Sequence, residues 1–240
     1  MRFLRHTLGF VALLGLVGAA PQEFASGPTH ARLLELFTSE GCSSCPPAEA
    51  WLARLRDDPG LWRELVPVAW HFDYWDKLGW KDRFASREAT QRQSAYASLW
   101  KSGSVYTPCF VLDGKEWRGR VAPKASQDNT GVLRARYDAG RLSVAFETNA
   151  RDDYEAHAVV LAMSVASKVT RGENRGRELL HEFVAAGSLH SKSIRDARAE
   201  FDLPMPRMTD ITQFALAVRI TRRGHLTPVQ ATGGVLIPGQ

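Results

Sequence analysis

The segment Phe37-Thr38-Ser39-Glu40-Gly41-Cys42-Ser43-Ser44-Cys45-Pro46-Pro47 constrains the fold of this chain more than any other. Two thiols stand three residues apart, after the apolar run Leu33, Leu34, Leu36, Phe37 and before helix-forming sequence from Ala48 to Arg56. The pattern predicts a buried strand, a tight turn and a helix that begins at the dithiol. The first N–H groups of a helix have no intrahelical partner and carry a partial positive charge, which stabilises a thiolate. Pro46 and Pro47 suit first-turn positions, which donate no intrahelical bond. Cys42 is therefore expected just ahead of the first turn and Cys45 at or near its cap.

The N-terminus reads as a secretory leader over residues 1–20. Arg2, Arg5 and His6 precede the apolar run Leu8–Val17 and the small residues Gly18-Ala19-Ala20. That run is too short to span a bilayer, so no stable membrane anchor is expected after cleavage, and the location predicted is a bacterial periplasm or the exterior. The formal charge of +5 falls when Arg2 and Arg5 leave with the leader, and no basic stripe with interleaved aromatics occurs. Nucleic acid is therefore not an expected partner. Three cysteines in an exported chain leave at least one outside any internal bridge. A Cys42–Cys45 bridge closes too small a loop to serve as a strong staple, which favours a functional pair.

Leu33–Phe37 and Val66–Phe72 read as strands, with Ala48–Arg56 and a stretch from Asp82 to Lys101 as helices. Phe110–Leu112 and Glu116–Arg118 flank Asp113-Gly114, a two-residue hairpin signal. Asn129–Asp138 is expected to be a closing helix ending at Gly140. This order predicts an α/β domain over residues 30–140 with a helical insertion. Beyond about residue 141 the runs Leu142–Thr148, Ala156–Lys168, Gln213–Thr221 and Val229–Ile237 predict a second, smaller all-β, sandwich-like domain over 141–240. The alternative is that these strands extend the first sheet.

Strand, Cys-x-x-Cys and helix, followed by Thr107-Pro108 ahead of the hairpin, resemble the thioredoxin superfamily. The resemblance narrows further. The segment Phe37–Ala48, then His71-Phe72-Asp73-Tyr74-Trp75-Asp76-Lys77-Leu78-Gly79-Trp80-Lys81-Asp82, then Tyr106-Thr107-Pro108 are similar to the secreted thioredoxin-like family of domain of unknown function 1223 (DUF1223). The dense motifs cover residues 33–119, and Gly172-Glu173-Asn174-Arg175-Gly176 fits more loosely, reading as a structural turn. The resemblance implies a thioredoxin-like α/β fold followed by a β domain, with Thr107-Pro108 as a cis-proline pair shaping a substrate groove. Cys109 departs from the family pattern, which has a non-cysteine residue after the proline.

The resemblance also implies thiol–disulfide exchange: Cys42 attacks, Cys45 resolves, and the partners are proteins or small thiols and disulfides. No cofactor or metal is required. Ser43 and Ser44 offer hydroxyls to a Cys42 thiolate, while Glu40 opposes it. Glu35 falls seven residues before Cys42, one away from the position of the buried acid in many thioredoxins. A one-residue shift turns a strand side chain to the other face, which argues against Glu35 in that role. His71 and Asp73 sit at a strand end, either facing the dithiol or acting as hydrogen-bonded fold elements beside Trp70, Trp75 and Trp80. Cys109 reads as a small core residue, as a third thiol near Cys42, or as part of a soft Cu or Zn site with Cys42, Cys45 and His71. A non-catalytic binding module with a vestigial dithiol is the remaining class.

Overall fold

The computed structural model describes residues 20–119 and 121–237, so the predicted leader lies outside the described residues except for Ala20. The chain runs through β1 (Gln22–Ala25), β2 (Arg32–Thr38), helix α1 (Pro46–Ala53), β3 (Leu65–His71), helix α2 (Arg87–Leu99), and the hairpin β4 (Cys109–Leu112) and β5 (Lys115–Trp117). It continues with β6 (Val132–Asp138), β7 (Arg141–Glu147), β8 (Tyr154–Met163), β9 (Val165–Lys168) and β10 (Glu178–His181). The last strands are β11 (Val184–Ala185), β12 (His190–Ser193), β13 (Arg198–Asp202), β14 (Gln213–Arg222) and β15 (Pro228–Leu236).

β2 is apolar on both faces and buried throughout past Arg32, which places it in the middle of a sheet. It pairs parallel with β3 through the α1 crossover and antiparallel with β4. The predicted hairpin forms: Asp113 and Gly114 both take positive φ, 48° and 81°, as a primed two-residue turn demands. The Asp113 carboxylate also accepts from the Leu33 N–H at 2.8 Å and the Arg32 guanidinium at 2.6 Å, fastening the turn to β2.

Of the strands beyond residue 141, β8, β11, β12, β14 and β15 belong to this same sheet. β11 pairs parallel with β3, β8 pairs with β11, and β14 and β15 follow, giving the order β15-β14-β8-β11-β3-β2-β4-β5 with β12 beside β8. Burial on both faces explains why β8 and β14 read as near-continuous apolar runs. Val159, Leu161, Met163, Ala215 and Ala217 join the core shared with β2 and β3. Ala158, Val160, Leu216 and Val218 face a second core against the sheet β1-β6-β7-β13.

Three expectations need correction. The chain is mostly β: among the described residues α-helix is confined to α1 and α2, so the predicted helix-rich α/β core gives way to a curled mixed sheet. The helix expected over 129–138 is strand β6. Leu133, Ala135 and Tyr137 are buried and Arg134 and Arg136 exposed, a period of two that suits a sheet face. Gly140, expected as a helix stop, instead closes a hairpin with Ala139, at φ of 88° and 45°. The second helix is shorter than its apolar spacing suggests. It starts at Arg87, where the Ser86 hydroxyl caps it by accepting from the Ala89 N–H at 3.1 Å.

A candidate dithiol site strapped to a buried carboxylate and histidine cluster

The backbone from Thr38 to Cys45 leaves β2 in a chain of tight turns. Cys42 N–H donates to the Ser39 carbonyl at 3.1 Å and Cys45 N–H to the Cys42 carbonyl at 3.2 Å. Cys45 is the N-cap of α1, with the two prolines filling its first positions. All three cysteines are free thiols. Cys42 Sγ lies 3.2 Å from the Ser44 hydroxyl, and Cys45 Sγ lies 3.0 Å from the Thr107 hydroxyl. The Thr107–Pro108 peptide bond is cis.

These contacts separate the two thiols electrostatically. Hydrogen bonding from Cys45, helped by Ser44 and Thr107, outweighs burial and holds Cys42 down at about 6. Burial pushes Cys45 well above the ordinary thiol range, and its bond to Cys42 adds to the rise. One proton shared in this way favours a thiolate on Cys42 and a thiol on Cys45. Cys42 itself is only 1% exposed, although Ser43 and Ser44 beside it are exposed.

The loop around Gly172–Gly176 is tied to the backbone on either side of Cys42. Asn174 is fully buried, and its side-chain amide donates to the Glu40 carbonyl at 2.8 Å and the Cys42 carbonyl at 2.9 Å. Arg177 donates to the Asn174 Oδ1 at 2.9 Å, and the Glu173 carboxylate accepts from the Ser43 N–H at 3.0 Å. Gly172 and Gly176 take φ of 73° and 82°, which permits so tight a loop. Trp75 closes another side, donating from Nε1 to the Gly41 carbonyl at 3.0 Å.

The other sequence candidates fall in different places. Asp73 accepts from the Thr90 hydroxyl at 2.6 Å and so ties its loop to α2. His71 is buried, with Nδ1 on the Asp82 carboxylate at 2.6 Å. Cys109 is buried in the core cluster, is pushed up to about 11 by burial, and contacts Tyr106 and the Phe110 carbonyl. Among the described residues, the His, Cys, Asp and Glu side chains converging closely enough for a metal are Glu49, His71 and His181. The alternative soft site from three cysteines and His71 is therefore not assembled. Glu35 turns away from the thiols: Arg92 grips it at 2.6 and 2.9 Å, with Tyr96 and Trp70 donating as well.

Sequence reasoning misses the acid that does stand beneath the pair. Glu49, one helical turn past Cys45, accepts from the Thr38 hydroxyl at 2.5 Å, and Thr38 in turn reaches Cys45. Its i+4 spacing from Cys45 is the available signal. The second Glu49 oxygen meets His181 Nδ1, and His181 Nε2 faces Glu40 Oε1 at 3.4 Å. Burial alone would lower His181, but Glu49 and Glu40 overcome it and raise the imidazole to about 10. Nothing local in the sequence marks His181 as a neighbour of Glu49.

The arrangement defines a class: a curled, mixed β-sheet protein with a dithiol at the entry to a short helix. The family described as "Protein of unknown function (DUF1223)" matches residues 33–221, and the chain belongs to it. No curated protein matches the chain. Among solved structures, the crystal structure of protein AGR_C_4864 from Agrobacterium tumefaciens is similar with a TM-score of 0.61 at 19% identity, over 88% of this chain and 96% of that one. HBP35 of Porphyromonas gingivalis is similar with a TM-score of 0.50 at 14% identity, over 90% of this chain and 78% of that one. At such identities the likeness is one of fold.

Proposed function

We propose that the mature chain is an exported thiol–disulfide oxidoreductase of thioredoxin-like type, acting on protein or small-molecule thiols and disulfides through Cys42 and Cys45. The observation that carries the reading is the asymmetric pair: two free thiols at a helix N-terminus, with Cys42 held near 6 and Cys45 held up by burial. A structural disulfide has no use for that difference.

In the reducing direction the Cys42 thiolate attacks one sulfur of a partner disulfide. That S–S bond breaks, the second partner sulfur leaves as a thiolate, and Cys42 holds the first in a mixed disulfide. Cys45 then loses its proton to water or to the departing thiolate and attacks Cys42 Sγ. The partner sulfur leaves, Cys42–Cys45 forms, and two electrons have passed to the partner. The steps in reverse oxidise a partner dithiol. Thr107 and Pro108 form the wall against which the partner lies, with the exposed Val105 and Tyr106 as an apolar lip. Cys42 is 1% exposed, so attack on a partner requires local movement that brings its thiol to the surface.

A redox titration of the purified mature protein against glutathione, with mass-spectrometric mapping of the three thiols, tests the reading. A reversible Cys42–Cys45 disulfide with a potential of about −270 to −120 mV supports it. A pair that never exchanges, or one whose potential lies below about −300 mV, overturns it.

A further inference from the structure

Beneath the dithiol loop, six buried polar side chains from five parts of the chain meet: Thr38, Glu40, Glu49, His71, Asp82 and His181. Thiol exchange needs only the first turn of α1, so the exchange chemistry leaves most of this cluster unexplained. Polar groups are normally buried only with their hydrogen-bonding capacity met. Here His71 Nε2, His181 Nε2 and Glu40 Oε1 have no hydrogen-bond partner.

We propose that Glu49, His71 and His181 form a binding site for a first-row divalent cation of the Zn2+ type. One donor atom from each lies within 4.8 Å of the others, and the three residues are 6%, 1% and 2% exposed. A cation bonded at about 2.0–2.2 Å holds its donors about 3–4 Å apart, so small side-chain shifts close the set. Two imidazoles and a carboxylate are hard-to-borderline donors suited to zinc.

The outer atoms of the three side chains strengthen the assignment. Metal-binding imidazoles characteristically donate their second nitrogen to a carboxylate, which fixes the tautomer and aims the first nitrogen. His71 does this through Nδ1 to Asp82 at 2.6 Å, leaving Nε2 free. Asp82 is itself held by the N–H groups of Glu40 and Phe84 at 2.8 and 2.9 Å. His181 turns Nε2 toward Glu40 at 3.4 Å and Nδ1 toward Glu49. Glu40 is fixed from behind by Trp80 Nε1 at 2.7 Å, and Glu49 by the Thr38 hydroxyl at 2.5 Å. His71 therefore has one ring nitrogen anchored on a carboxylate and the other without a partner, while Glu49 is held by a hydroxyl on one oxygen and meets His181 with the other.

Charge points the same way. Three buried carboxylates, Glu40, Glu49 and Asp82, surround two imidazoles. Buried like charges are tolerated only with compensation. A divalent cation between the imidazoles supplies it. The site uses no thiol and stands independently of the oxidoreductase reading.

The test uses untagged mature protein stripped with chelator and then titrated with Zn2+ and, separately, with Co2+. The expected result is uptake of about one ion per chain and a Co2+ spectrum with visible ligand-field bands but no thiolate-to-cobalt charge transfer. The triple variant Cys42→Ser, Cys45→Ser, Cys109→Ala retains that uptake, while Asp82→Asn weakens it about 10–100-fold. No Zn2+ uptake by the wild-type chain, thiolate charge transfer in the Co2+ form, or uptake abolished in the triple thiol variant each overturns the proposal. The first two readouts need no variant to fold, and neither result bears on whether the dithiol exchanges with glutathione.

Discussion

Asn174 reaches back 132 positions along the chain to place its side-chain amide 2.9 Å from the Cys42 carbonyl. The same amide holds the Glu40 carbonyl, so one buried side chain fixes both flanks of Gly41. The tight turns of the dithiol loop close on their own hydrogen bonds, and a segment in the other half of the chain fastens two of its carbonyls.

Replacing Asn174 with Ala removes both bonds and leaves two carbonyls without that donor. A loss of about 1–3 kcal/mol in urea-unfolding free energy is expected. Because the same bonds hold the loop that carries the buried Cys42, releasing them should ease access to its thiol, and iodoacetamide modification of Cys42 should accelerate. An unchanged rate would show that the cover lies elsewhere.

Thiol substitutions should separate the three cysteines by role. Cys42→Ser abolishes disulfide exchange on a peptide disulfide. Cys45→Ser still attacks but cannot resolve, so mixed disulfides accumulate and appear as adducts in the intact mass. Cys109→Ala leaves exchange within about twofold, since its contacts are with Tyr106 and the Phe110 carbonyl and not with the pair.

The pH dependence follows from the depressed Cys42 value. Alkylation of Cys42 should rise through a midpoint near pH 6, while Cys45 stays unreactive across the same range. The sign for stability is set by the same shift. A thiol whose folded value lies below its ordinary 9.0 contributes stability that is present at high pH and is lost as pH falls through about 6. Reduced protein should therefore lose unfolding free energy on acidification through that window, and Cys42→Ser should lose less.

Glu35 tests the difference between a structural and a functional buried acid. Burial would raise its pKa, but Arg92 prevails and keeps the carboxylate ionised. Glu35→Leu strands the Arg92 charge in the core and is expected to cost about 3–5 kcal/mol, whereas Glu35→Leu with Arg92→Met should cost much less. The midpoint for Cys42 alkylation should not move in the double variant. A shift there would give Glu35 the role argued against by its position in β2.

Much of the local structure around the dithiol is legible because its causes are local. An apolar run predicts β2, two prolines after Cys45 predict a helix start, and Asp113-Gly114 predicts a primed turn. Each signal lies within a few residues of what it specifies. Over 129–138 two local signals compete. The glycine that follows suggests a helix stop, while Leu133, Ala135 and Tyr137 alternate with Arg134 and Arg136, and the alternation prevails because a sheet covers that face.

What the amino-acid order determined by itself is the strand–dithiol–helix unit, the spacing of its thiols and the hairpin beside it, since propensity, capping and turn chemistry act over one or two turns of chain. Only the tertiary structure decided that β8 and β14 would share a sheet with β2, because that depends on which apolar faces find cover. It alone brought His181 to Glu49 and Asn174 to Cys42, contacts of 132 positions each whose partners carry no mark in the local sequence. Long-range contacts of this kind are selected by the packing of whole layers, and the burial they share is what gives the dithiol its surroundings.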